Sequence, residues 1–500
     1  MLSGRPQYFQ NKLRPVAVDK AGLVKALEEL RAAIRHGLQL LEAEYPAPNQ
    51  ADRQAFGTIF NGSLGVGLTF LRLEYQSDSL DDERQSLGQD LRGQARKYMN
   101  PHAMELTLQL GRPSPLQSAA LGATVLRILA ARLADTSVSE GDRSRVDPAD
   151  LESLREALQV AIHQEDTVTR HDHAMGGDEM LYGRAGLLWA LLNLRNSSYD
   201  NETETVLRPI LADVPKLVDA IVDAGSRGAA KHVQRYGGIL TILLACNEEE
   251  LNGPSGGDRL HLIGRTISSL CELSIAQHGH LETSTPVLPS SRASPLVQLC
   301  HGTPGLLLLL ATARSHPLMR PRWAPVWDEA ISAGSQRVWE EGLLSKGGGL
   351  CHGMAGNAWP WLMLHDSFAY GPPPEAVDPV ILNLTSWSRE GEEGAGQPGD
   401  VHLSRALAFL LHARDTPPFA AWSSDNRSKL DGENQYRTPD HPYSLFEGLA
   451  GTTCAWAEAC VTIEARLCKM RGEGSAKEDE ILRRRLGMPG LGGHGARGML

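Results

Sequence analysis

What this 500-residue chain lacks narrows its class first. No apolar run approaches the ~18 residues that a bilayer-spanning helix needs, so no membrane-crossing segment is expected. The stretch MLSGRPQYFQNKLRPV has no apolar core of the kind a secretory leader carries, and none is expected. Aromatic residues make up only 5% of the chain. The core must therefore be mostly Leu and Ala, which favours helix. Basic charge is in deficit, 49 Lys and Arg against 60 Asp and Glu, for a net charge of −11. That argues against a nucleic-acid binder, because phosphate binding needs a basic surface. Seven cysteines, an odd number with no CxxC pair, do not form a disulfide framework. Reduced thiols and a cytoplasmic location, at most peripheral to a membrane, are the expectation.

What is present is an internal repeat: an apolar or aromatic residue, a turn with Gly-x-x-Gly, then an apolar helix. It reads as FNGSLGVGLTFLRL (60–73), LYGRAGLLWALLNL (181–194), LCHGTPGLLLLLA (299–311), LCHGMAGNAWPWLML (350–364) and LFEGLAGTTCAWAEA (445–459). Weaker copies at 120–133 and 235–245 make seven, with second glycines at Gly65, Gly122, Gly186, Gly238, Gly305, Gly356 and Gly451. Their usual spacing holds two helices with loops. The segments before the motifs, such as 23–45 and 150–164, have apolar residues returning every three or four positions. The helices after the motifs are apolar on nearly every side and should be buried.

One partly exposed and one buried helix, seven times over, predict an all-α fold. The helical hairpins would form a closed double ring, an (α/α) toroid with seven inner helices. The first glycine of each motif is expected to permit a turn with φ > 0, and the second to let backbones approach closely. The expected organisation is a helical lead-in over 1–55, the toroid over 56–470, and a disordered tail over 471–500. Pro/Gly-rich acidic stretches at 371–379 and 388–400 mark an irregular insertion at about 366–442.

Two motif copies carry Cys-His-Gly, at Cys300-His301-Gly302 and Cys351-His352-Gly353. A catalytic zinc takes three protein ligands and keeps one open position. Cys300, Cys351 and His352 could supply them if the glycines around 351 hold that pair in a loop, since helical neighbours point ~100° apart. In that case the three donor atoms should lie within ~4 Å of one another, as tetrahedral bonds imply. The competing reading is two buried cysteines with capping histidines, because Cys is among the most buried residue types. The other five cysteines lack a histidine neighbour and are expected in the core.

The strings GLLSKGGGLCHGMAGNAWPWLMLH, VQLCHGTPGLL, DEMLYGRAGLLWALL and RTPDHPYSLFEGLAGT resemble the lanthionine synthetase C-like family, specifically its eukaryotic branch. The resemblance runs from about Phe60 to Glu458. It implies an (α/α) toroid, related in architecture to six-hairpin glycosidases and prenyltransferase β-subunits. Bacterial members cyclise peptides by adding a zinc-activated cysteine thiol to dehydroalanine or dehydrobutyrine. Eukaryotic members are understood to add glutathione to dehydroamino acids in damaged proteins. The resemblance implies one Zn2+ per chain on Cys300, Cys351 and His352. It also implies glutathione as co-substrate and dehydroamino-acid peptides or proteins as partners.

His301 could donate the proton that completes the addition, or only cap its loop. Lys346 could hold a phosphate or carboxylate of the substrate, or be a solvated lysine. Glu179 stands where the family carries a catalytic acid, and acids at helix N-termini are also common for dipole reasons. Arg184 could bind substrate or pair with Asp178 or Glu179, and Arg437 is a further candidate for an anionic substrate. The family's fourth repeat usually opens on a histidine, and here Gln234 stands at that position. Either His232 takes the role or the catalytic histidine is gone. The second reading is therefore a non-catalytic zinc- or glutathione-binding scaffold. A glycosidase-type hydrolase would need two paired inward carboxylates, which Asp178, Glu179 and Glu447 do not obviously provide.

Overall fold

The computed structural model describes residues 7–49, 56–81, 87, 90–99, 113–132, 146–163, 167–170, 173–229, 237–252, 258–281, 294–371, 399–420 and 436–492. Seven inner helices follow the seven motifs: α2 (Ser63–Tyr75), α5 (Ala119–Ala130), α7 (Arg184–Arg195), α10 (Gly237–Leu243), α13 (Thr303–Ser315), α15 (Met354–Ala369) and α17 (Leu449–Arg471). Around them lie α1 (Lys20–Glu44), α3 (Ser77–Leu80), α4 (Leu91–Lys97), α6 (Pro148–His163), α8 (Asn201–Leu211), α9 (Val214–Ala229), α11 (Glu248–Asn252), α12 (Asp258–Ala276), α14 (Pro325–Glu341), α16 (Asp400–His412) and α18 (Ser475–Leu482).

Each inner helix packs on the next, α2 on α5, α5 on α7, α7 on α10, α10 on α13, α13 on α15 and α15 on α17. The ring closes where α17 packs on α2. Outer helices brace it from behind: α4 on α2, α6 on α5, α9 on α7, α14 on α13, α16 on α15 and α1 on α17. The expected toroid is thus present. The departure from all-α among the described residues is a small antiparallel hairpin, β1 (Thr167–Arg170) with β2 (His173–Gly176).

The patterning explains the two rings. In α1 the residues Leu23, Leu27, Leu30, Ile34, Leu38 and Leu41 are buried along one stripe, facing α17. An Asp19 carboxylate caps that helix by accepting from the Gly22 N–H at 2.7 Å. In α17 nearly every residue from Leu449 to Cys468 is buried, as an all-round apolar helix requires. Scarce aromatics are concentrated in the core, with Trp189, Trp327, Trp359, Trp361 and Trp456 fully buried.

Three expected boundaries are corrected. The N-terminal helix is no lead-in, because α1 is the outer partner of the last inner helix and completes the ring. Inside the expected insertion, α16 is a regular outer helix with Leu403, Ala406, Leu407 and Phe409 buried against α15. Residues 372–398 and 421–435 of that insertion lie outside the described residues.

The tail is ordered through 492 because it has buried partners. Asp366, at the C-terminal end of α15, pairs with Arg485 at 2.8 Å. The Glu458 carboxylate accepts from the N–H groups of Leu486 and Gly487, and Arg72 Nη2 donates to the Gly487 carbonyl. Leu486 and Met488 are fully buried. Gly490 then lies against Phe446 and Leu116, and Leu491 against Gly238, at the opposite, N-terminal ends of the inner helices. The segment thus runs along the inner ring from one end to the other. Residues 493–500 lie outside the described residues.

Candidate metal centre

The loops ahead of the inner helices are tied to one another by backbone hydrogen bonds. The Cys300 N–H donates to the Cys351 carbonyl at 3.3 Å, and the Cys351 N–H to the Phe446 carbonyl at 2.7 Å. Phe446 N–H donates in turn to Phe60, at 3.2 Å, and Phe60 N–H to Leu116, at 3.0 Å. Cys300, Cys351, Phe446 and Phe60 hold the same place in their motifs, two residues before the first glycine. The rim therefore sets equivalent residues of neighbouring repeats side by side. Phe446 and Phe60 show the consequence, stacking with ring centroids 4.9 Å apart. Cys300 and Cys351 are the same pair of positions two steps around the ring.

The glycines make this rim. An added Cβ on Gly65, Gly186, Gly305, Gly356 or Gly451 would overlap or crowd the carbonyl oxygen six residues before it: Ile59, Met180, Leu299, Leu350 or Leu445. Close approach is thus the need at the second glycine, as expected. The first glycines are different. Gly302 alone among the five strong copies has positive φ, at +131°. Gly62, Gly183, Gly353 and Gly448 have negative φ, and backbone crowding excludes a side chain there instead.

The donor atoms of Cys300, Cys351 and His352 lie within 4.8 Å of one another. That is wider than the ~4 Å expected for a tetrahedral ion. Cys300 is exposed, Cys351 buried and His352 half-buried. A hydrogen bond with Cys351 holds the Cys300 thiol down, to about 5, against desolvation and with help from His352 and His301. The same bond pushes Cys351 well up, and burial adds to it. Two sulfurs and an imidazole brought together are a donor set that fits a soft divalent ion. Burial pushes the Cys246, Cys271, Cys454 and Cys460 thiols up, as core cysteines should be.

The other expected site residues separate. His301 is exposed beside Cys300, in a tight turn where its N–H and carbonyl both pair with Gln298 at 3.2 Å. Lys346 is half-buried and close enough to Cys351 to lower that thiol's pKa. Arg437 is exposed, and its N–H donates to Ser345 at 2.8 Å, which sets it next to Lys346. Arg184 does not reach solvent: at 1% exposure its Nε lies 2.5 Å from Asp178, so it locks the turn ahead of α7. The Glu179 carboxylate accepts the N–H groups of Leu181 at 3.0 Å and Tyr182 at 2.6 Å, which makes it a turn cap. His232 and Gln234 lie outside the described residues.

Four residues at the site went unassigned in the sequence. Asn357 is fully buried and its amide donates to the carbonyls of Val297 at 2.9 Å and Gly342 at 3.0 Å, tying the two cysteine loops together. Gln298 Oε1 lies 3.5 Å from Cys300 Sγ. Glu447 and His441 stand beside His352: Glu447 Oε1 is 3.9 Å from His352 Nε2, and His441 Nδ1 pairs with Glu447 Oε2. A signal for Glu447 existed, since it precedes the first glycine of its motif as His352 does.

The closed helical toroid carries a cysteine–histidine donor set on its rim. Residues 146–369 match a family model described as lanthionine synthetase C-like protein. "Glutathione S-transferase LANCL1" of Danio rerio is 27% identical over 293 residues, 55% of this chain and 57% of that one. "LanC-like protein GCL1" of Arabidopsis thaliana is 28% identical over 310 residues, 58% of this chain and 56% of that one. The chain spans somewhat over half the length of the curated relatives it matches. Over these residues the chain is similar to the lanthionine synthetase C-like family, and both of these relatives are eukaryotic. Among the described residues no helix is long and apolar enough to cross a membrane.

Proposed function

We propose that the chain binds one Zn2+ on Cys300, Cys351 and His352 and adds a thiol, glutathione or a peptide cysteine, to dehydroamino acids. The observation that carries this is the convergence of the three donor atoms within 4.8 Å on a rim of the family's fold. The printed name of the Danio rerio relative supports glutathione as the thiol. Zinc, when bound, supplies a lowered pKa to a coordinated substrate thiol, giving thiolate at neutral pH.

The chain's own residues account for the rest. Lys346 and Arg437, neighbours through the Ser345 carbonyl, offer cationic charge for the carboxylates of a peptide thiol. Sulfur adds to the β-carbon of the dehydroamino acid as the C=C electron pair moves onto the α-carbon and its carbonyl. A proton must then reach the α-carbon. His301, exposed beside Cys300, is the described residue suited to deliver it. Arg184 and Glu179 order the turn ahead of α7.

Metal analysis of the purified chain tests the site. Wild type should carry one zinc, and Cys300→Ala and Cys351→Ala should each lose it; two variants that keep one zinc per chain would sink the assignment. Glutathione with a dehydroalanine peptide tests the reaction. Zinc binding without adduct would favour the scaffold reading, which Gln234 in place of the family's histidine motivates.

A further inference from the structure

The residue immediately before the first glycine is polar in four consecutive repeats around the ring: His301, His352, Glu447 and Asn61. Because the rim sets equivalent positions side by side, these residues form a belt. Three of its members are joined by contacts that reach the candidate metal ligand. Thr58 Oγ1 donates to Asn61 Oδ1 at 3.0 Å, which turns the Asn61 amide nitrogen toward His441 Nε2, at 3.4 Å. With Nε2 accepting, His441 carries its proton on Nδ1 and donates it to Glu447 Oε2. That bond fixes the carboxylate and leaves Oε1 facing His352 Nε2 at 3.9 Å. Backbone contacts brace the same place: Phe446 accepts from Cys351 N–H, and Glu447 N–H lies 3.3 Å from Ser444 Oγ.

We propose that Glu447 is the positioning residue of the metal centre. Its Oε1, 3.9 Å from His352 Nε2, would take the Nε2–H when the imidazole ligates metal, fixing the tautomer and ring plane that leave Nδ1 for the ion. His441 and Asn61 hold Glu447 in place. The assignment rests on the metal reading of the triad and extends it. A carboxylate behind a ligating imidazole raises its basicity and orients it, and removing such a partner typically costs about 10–100-fold in metal affinity. The carboxylate is only 13% exposed, as is the His352 side chain, so this interaction is poorly screened.

The test is zinc affinity of the full chain by competition with a chromophoric chelator, with wild type, Glu447→Gln and Glu447→Ala compared. Cobalt(II) spectra of the same proteins report ligand geometry independently of activity. Glu447→Gln keeps the shape and loses the charge; it should bind zinc about tenfold more weakly and shift the cobalt ligand-field bands. Glu447→Ala should lose more, up to about 100-fold. Glu447→Gln with wild-type affinity and an unchanged cobalt spectrum would overturn the proposal alone, whether or not the alanine variant folds. A wild-type chain that takes up no zinc would overturn the metal site and the proposal together.

Discussion

At the scale of residues, the two cysteines of the site differ although their motifs are alike. Both follow leucine and precede His-Gly, yet Cys300 is exposed with its thiol held at about 5 and Cys351 is buried with its thiol well up. The hydrogen bond between the two thiols lowers one and raises the other, so Cys300 is the one that loses its proton first. In metal-free protein at pH 7, iodoacetamide should therefore alkylate one thiol per chain rapidly, at Cys300. Its alkylation rate should fall only as pH drops through about 5, because the thiolate is the nucleophile. Peptide mapping by mass spectrometry reads this, and zinc should protect the residue. Preferential labelling of a core cysteine would contradict the burial of the other thiols. The histidines diverge for the same reason of place: His352 has Glu447 behind it, whereas His301 faces solvent in its turn with Gln298.

Among the elements, the glycine-hinged loops decide whether a site exists. Gly356 sits in the first turn of α15, where a side-chain carbon would overlap the carbonyl oxygen of Leu350. Backbone has to move to admit it, and Leu350 is the neighbour of Cys351. Gly356→Ala should cost about 1–3 kcal/mol, as overpacking commonly does. It should also weaken zinc binding more than a core substitution of equal cost, since it displaces the ligand loop itself. Thermal melting paired with chelator competition separates the two effects; an unaltered zinc affinity at lowered stability would show that the loop absorbs the shift. Asn357, next in sequence, carries the complementary constraint by bonding both cysteine loops through Val297 and Gly342.

At the scale of the whole molecule, the closed ring is reinforced by α1 and by residues 483–492. Helix α1 braces the last inner helix, and residues 483–492 run along the inner ring past Arg72 and Glu458. Ending the chain at Leu482 would expose the surface that Leu486 and Met488 cover, worth roughly 3–6 kcal/mol at ~1.5–3 each. It would also remove two N–H donors from the buried Glu458 carboxylate. Against a typical total stability of ~5–15 kcal/mol, such a truncation should lower the melting temperature sharply or yield aggregate. Melting indistinguishable from the full chain would mean the tail is not part of the fold.

By itself the sequence determined the seven-fold helical toroid and marked Cys300, Cys351 and His352 as candidate donors. A Gly-x-x-Gly before an all-round apolar helix is a local signal, and its repetition admits few closed arrangements. Tertiary structure decided the rest. The sequence left α16 inside a loop-like insertion and the tail in disorder, because their order comes from distant partners such as α15, Asp366 and Glu458. It left Arg184 and Glu179 open between substrate and structure, and only burial and the Asp178 contact assigned them to the turn. Glu447 and Asn61 share the register of His352, but their convergence depends on the rim of hydrogen bonds that joins the sixth, seventh and first repeats. The first repeat is far from the sixth and seventh in the chain, and ring closure makes it their neighbour.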